Sequence, residues 1–249
     1  MPTVGVEFAK VSYTLAGGRV LLSDISLELD AGTTTALLGR SGSGKTTLLR
    51  MVNNLVTPSA GEVLLAGNPT RNGDMVALRR SVGYVIQETG LFPHMTVERN
   101  SGMALELAGR SRQEIASRVR EVMSLVGLDY EEFRERYPWQ LSGGQRQRVG
   151  LARALATDPS VLLMDEPFGA LDPLTRAEMQ TMLRNLLEKV GKTVLLVTHD
   201  LDEALYLSKR VVFLSEGTVV ANLPAGEVLH SENSHVKDYI HAVHRAVQA

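Results

Sequence analysis

A short strand-forming stretch, Thr33–Leu38, runs directly into Gly39-Arg40-Ser41-Gly42-Ser43-Gly44-Lys45-Thr46, and a helix-forming stretch, Lys45–Asn54, follows. No other feature constrains the chain as much as this order. The glycines let the backbone curl so that consecutive N–H groups point inward. The helix adds the partial positive charge of its N-terminus. Such a loop cradles phosphate oxygens. The spacing G-x-x-x-x-G-K-[ST], between a strand and a helix, sets Lys45 to reach β- and γ-phosphates and the Thr46 hydroxyl to coordinate Mg²⁺. Thr47 continues the same nucleotide-binding run.

The rest of the pattern is that of an α/β chain. Val4–Lys10 and Val20–Leu29 read as strands around a Gly17-Gly18 turn, and Gly61–Ala66 and Ser81–Ile86 as further short strands. From about Val97 to Tyr137 apolar residues such as Ile115, Val119, Val122, Met123 and Val126 recur at helical spacing among charges. This predicts an inserted helical subdomain, about 97–156, within a core of about 1–96 and 157–229. Arg146–Ala156 and Pro173–Val190 read as helices, and Val161–Met164 and Thr193–Thr198 as apolar strands suited to a buried parallel sheet. Leu201–Leu207 reads as a helix, and Arg210–Leu214 with Thr218–Ala221 as a hairpin around Glu216-Gly217. A short helical tail, Val236–Val247 within about 230–249, follows.

Composition excludes several classes. The 249 residues hold no cysteine, so disulfides, thiolate catalysis and cysteine-based zinc sites are ruled out. The formal charge is −2, which gives no global basic field for nucleic acid. The apolar runs fall far short of the ~20 residues a membrane-spanning helix needs. The N-terminus lacks a signal-peptide pattern. The expectation is a cytoplasmic protein that meets a membrane only through a partner.

Two further motifs carry chemistry. Val161-Leu162-Leu163-Met164 ends in Asp165-Glu166. A buried strand directs its C-terminal end toward the ligand crevice of an α/β sheet. Asp165 suits Mg²⁺, directly or through water, and Glu166 suits polarising an attacking water. Leu141-Ser142-Gly143-Gly144-Gln145 precedes Arg146-Gln147-Arg148, with Ser142 as the expected cap of the helix.

With that pentapeptide lying between the phosphate loop and the acidic strand, the chain resembles the ATPase subunit of an ATP-binding cassette (ABC) transporter, over roughly Val4 to Leu229. The resemblance implies an α/β fold: a P-loop NTPase core with a RecA-like parallel sheet, an N-terminal antiparallel β subdomain and an inserted α-helical subdomain. It implies ATP and Mg²⁺ as cofactors, and a head-to-tail dimer with a second copy. Each ATP then lies between one subunit's loop and the other's Ser142, Gly143, Gly144 and Gln145. Transmembrane permease subunits and, indirectly, a substrate-binding protein are the further partners implied; nucleic acid is not one. By the same resemblance Tyr13 stacks on adenine and Gln87 contacts Mg²⁺ and the water. Asp172 communicates across the dimer, His199 contacts the γ-phosphate, and Glu166 is the general base. His94, His230, His235, His241 and His244 receive no role.

Tyr84-Val85-Ile86-Gln87, Gly90–Val97, Arg136-Tyr137-Pro138 and Asp165–Pro173 are similar to importers of quaternary amines such as glycine betaine, choline and carnitine. Glu98-Arg99-Asn100 departs from the usual run of that subgroup. Many of its members continue into paired CBS modules; with Ala249 as the last residue, none is expected here. Importer ATPases for amino acids or other small solutes, and exporter or lipid-transport ATPases, stay open as alternatives, with a soluble ABC ATPase outside transport more distant. Glu166 and His199 argue against a module that holds ATP without hydrolysing it.

Overall fold

Phe8 and Val11 are buried in the first strand while Lys10 between them is exposed with φ 51°, so the alternation of the strand is reset by a bulge. The computed structural model describes residues 4–245. In chain order its elements are β1 (Val6–Thr14), β2 (Val20–Leu29), β3 (Thr34–Leu38), α1 (Lys45–Val52), β4 (Ala60–Leu65), β5 (Asn68–Pro69), α2 (Met75–Ser81), β6 (Val82–Val85), α3 (Val97–Leu107) and α4 (Arg112–Leu125). They continue as α5 (Tyr130–Phe133), α6 (Gly143–Leu155), β7 (Val161–Asp165), α7 (Pro173–Val190), β8 (Thr193–Thr198), α8 (Leu201–Leu207), β9 (Arg210–Ser215), β10 (Thr218–Pro224) and α9 (Ser234–Arg245). The contacts gather the chain into two units: one is Arg80–Gly191, the other the described residues on either side of it.

The flanking unit carries an antiparallel sheet in the order β2-β1-β4-β5. It also carries the run β10-β9-β3-β8, in which β3 pairs in parallel with both β8 and β9. A strand paired in parallel on both sides is covered on both faces, and all five residues of β3 are buried. One core here joins Ala36 and Leu38 of β3, Leu201 and Ala204 of α8, Val211 and Phe213 of β9, Val228, and Val236 of α9. The tail is therefore a packed element.

In the other unit β6 pairs in parallel with β7, whose residues are all buried. Around them α3, α4 and α6 pack on one another through fully buried Val119, Val122, Met123 and Val149. The Ser111 hydroxyl accepts from the Glu114 N–H and the Glu114 carboxylate accepts from the Ser111 N–H, so a capping box starts α4.

The expected parallel α/β sheet, antiparallel N-terminal sheet and helical stretch are all present. The differences are local. The first strand runs on to Thr14 because its bulge breaks the period at Lys10, so Tyr13 lies inside β1 instead of after it. The helical stretch after Val97 divides into α3, α4 and the one-turn α5. The short β5 and α2 were unexpected, since neither has an apolar period. The last residues of the expected tail helix lie outside the described residues.

Candidate functional site

In the flanking unit the register of the parallel strands gathers the residues around the phosphate loop. Leu38 of β3 is level with Thr198 of β8 and with Phe213 of β9. The next residue along each strand is therefore Gly39, His199 and Leu214, side by side at the carboxyl ends, where an open α/β sheet binds ligands. A Cβ on Gly39 would lie 2.2 Å from the Leu214 carbonyl oxygen, so only glycine lets these two backbones meet. Gly44 caps α1 at φ 101°, a left-handed conformation that favours glycine.

The first turn of α1 has no side-chain cap and no acidic residue. The partial positive charge of the helix start is therefore not met by a capping or acidic side chain. The Lys45 ammonium is buried in the loop and donates to the Gly39 carbonyl at 2.8 Å and the Arg40 carbonyl at 3.0 Å. The Ser43 hydroxyl is buried without a hydrogen-bond partner among the described residues. Such an orphan calls for a polar ligand. Positive charge, an open helix start and an unsatisfied hydroxyl together fit a phosphate chain. A cleft of about 790 Å³ opens beside the loop, bounded by Arg40, Ser41, Gly42, His199, Glu216 and Tyr239. Tyr13 is not part of that lining. It pairs with Leu22 of β2, and Leu22 is the side chain that a Cβ on Gly44 would strike.

The acidic residues lie in the other unit, and register again explains how they meet Gln87. Val85 of β6 is level with Met164 of β7, so two residues further on Gln87 comes level with Glu166. The Gln87 amide nitrogen donates to Glu166 Oε2 at 3.2 Å. Asp165 is buried, and its Oδ2 accepts from the Tyr84 hydroxyl at 3.3 Å. The two adjacent carboxylates thus engage different partners. Glu166 holds φ 45°, a conformation that side-chain-bearing residues occupy at a cost and that clusters at functional sites. No group of three or more His, Cys, Asp or Glu among the described residues could hold a metal ion alone. Within this unit the Gln87 amide and the Asp165 carboxylate are oxygen donors of the kind that shares Mg²⁺ with substrate phosphates.

In the same unit Ser142 caps α6 as expected. Its hydroxyl accepts from the Gln145 N–H at 3.2 Å, and Gln145 Oε1 accepts from the Ser142 N–H at 2.9 Å. The Gln145 side chain is thereby committed to the cap, while Gly143 and Gly144 open the helix. Arg153, near the end of α6, donates to the Gly90 and Thr89 carbonyls at 2.7 Å each. This ties α6 to the segment after Gln87, and burial pushes the guanidinium pKa down. Asp172 caps α7 by accepting from the Thr175 N–H at 3.1 Å. Its hydrogen bonds with Thr175 hold its carboxyl below the usual range.

Sequence reasoning missed Tyr84, Arg153 and Tyr239, which touch site residues or their loops. Only Tyr84 had a visible signal, since it lies in the strand that leads to Gln87.

The family model described as ABC transporter matches residues 22–169. The carnitine transport ATP-binding protein OpuCA of Listeria monocytogenes is 43% identical over 236 residues, 94% of this chain and 59% of that protein. The glycine betaine uptake system ATP-binding protein YehX of Escherichia coli is 49% identical over 215 residues, 86% of this chain and 69% of that protein. The chain spans between 59% and 69% of the length of these two relatives. Among solved structures, the ATP-binding cassette MJ0796, a dimer in a post-hydrolysis state with ADP and phosphate, matches with a TM-score of 0.78. That match is 33% identical and covers 88% of this chain and 98% of that one.

Proposed function

Because this chain belongs to the ABC transporter family, we propose that it is the ATP-hydrolysing subunit of an importer for osmoprotectants such as glycine betaine, choline or carnitine. The observation that carries the ATPase part is the phosphate loop. A buried ammonium, an uncapped helix start and an orphaned serine hydroxyl converge on one spot.

In this account Lys45 leaves the loop carbonyls to meet the β- and γ-phosphates, and Ser43 gains the partner it lacks. Thr46, Gln87 and Asp165 would hold Mg²⁺, which would neutralise phosphate charge. The attacking water takes the place of the direct Gln87–Glu166 hydrogen bond, held by the Gln87 amide and the Glu166 carboxylate. Glu166 takes its proton as the oxygen bonds to the γ-phosphorus, and ADP leaves with the bonding pair. His199, level with Gly39, meets the γ-phosphate. Tyr13 stacks on adenine. Ser142, Gly143 and Gly144 of a second copy close the site from the other side, with Asp172 at the seam. This pairing is supported by the dimer seen for MJ0796.

No helix among the described residues is long and apolar enough to cross a membrane. The protein is placed on the cytoplasmic face by permease subunits, which, with a substrate-binding protein, choose the solute. Amine import is supported by the carnitine and glycine betaine relatives. The test is uptake of labelled glycine betaine by source cells deleted for this protein. Rescue by the wild type and not by Glu166→Gln is the expected result. Rescue of sulfate or amino-acid uptake instead, with betaine uptake unaffected, overturns the amine assignment.

A further inference from the structure

His199 is exposed, and its backbone is tethered on both sides. Thr198 before it is the last residue of β8, level with Leu38. The Asp200 N–H after it donates to the Thr198 hydroxyl at 3.0 Å, a bond within the same turn. The His199 carbonyl accepts at 2.6 Å from the hydroxyl of Tyr239, forty residues on in sequence. The Tyr239 ring stands edge-on to Phe213, with centroids 5.8 Å apart and planes at 77°. Phe213 is itself level with Leu38, the residue that leads into the phosphate loop. One turn before Tyr239 on α9, Val236 is fully buried against α8 and β9.

From this chain of contacts we propose that Tyr239 is a positioning residue for His199. The C-terminal helix then acts as a strut that sets the reach of the histidine toward the γ-phosphate, and the inference rests on the assignment of His199 to that contact. The hydroxyl fixes the carbonyl, and the carbonyl fixes the plane of the peptide from which the imidazole projects. The ring holds the hydroxyl in place through Phe213, which belongs to the strand beside the loop. The tail thus contributes to turnover without touching nucleotide. Nucleotide binding, held by Lys45 and the loop amides, is left alone.

Tyr239→Phe removes the hydroxyl and keeps the ring on Phe213, so the helix stays docked. The test compares steady-state ATPase kinetics of wild type, Tyr239→Phe and His199→Ala as full chains, with histidine-ring NMR spectra of the same proteins. The expected result is a kcat about threefold to tenfold lower in Tyr239→Phe, the worth of one hydrogen bond. KM for ATP should stay within about twofold, since binding energy held in common by ground and transition states is untouched. The His199 ring signal, identified by its loss in His199→Ala, should shift or broaden in Tyr239→Phe while that of His94 stays in place. Wild-type kcat in Tyr239→Phe beside an inactive His199→Ala overturns the proposal and leaves the histidine's assignment standing. A lowered kcat with an unmoved His199 signal overturns it too, because the tyrosine then acts elsewhere. Wild-type turnover in His199→Ala overturns the assignment beneath it.

Discussion

Lys45→Ala separates the two tasks of the lysine, each with its own magnitude. Without nucleotide the ammonium satisfies two carbonyls, Gly39 and Arg40. Losing both bonds costs about 1–3 kcal/mol, with the desolvation of the buried ammonium offsetting the rest. At about 2–4 °C per kcal/mol for a chain of this length, the unliganded midpoint falls by about 2–12 °C. Nucleotide changes the comparison. MgATP at one hundred times its Kd stabilises the wild type by about 2.7 kcal/mol, a rise of roughly 5–11 °C. Removing one charge-assisted phosphate contact costs about 2 kcal/mol, or ~30-fold in affinity. At the same ATP concentration the variant then gains only about 2–3 °C. Differential scanning fluorimetry with and without MgATP reads both numbers. An ATP-induced rise equal to that of the wild type would refute the placement of Lys45 on the phosphates.

Three other perturbations follow from the geometry. Arg153→Ala frees the Thr89 and Gly90 carbonyls, and amide hydrogen exchange in the segment after Gln87 should accelerate while β7 stays protected. Asp172 is held below its ordinary value of 3.8 by Thr175, so its cap contributes above that pH and is lost as pH falls through the lowered value. The melting advantage of the wild type over Asp172→Asn should therefore be full at neutral pH and fade below about pH 4. Leu163→Ala empties a fully buried position in β7 and should lower unfolding free energy by about 2–5 kcal/mol in a urea titration.

What could be read from sequence followed from short-range rules. The phosphate loop, the Ser142 cap and the buried strand before Asp165 are each set by neighbours within a few residues, so pattern and spacing were enough. Tyr13 was misplaced relative to its strand because a bulge at Lys10 shifts the alternation, and bulges leave no trace in hydrophobic period. The meeting of Gln87 with Glu166 needed the β6–β7 register, which depends on residues nearly eighty apart. The left-handed backbone of Glu166 had no glycine or asparagine to announce it. The Tyr239 tether was invisible because an amphipathic tail shows only that one face is buried, not what its polar edge touches.

The most direct test of the central claim is a paired measurement on Glu166→Gln, of ATP turnover and of oligomeric state with MgATP by size-exclusion chromatography. The account predicts that turnover is abolished, ATP still binds, and the protein accumulates as a dimer that wild type shows only transiently. A Glu166→Gln protein that hydrolyses ATP at the wild-type rate and stays monomeric would contradict it.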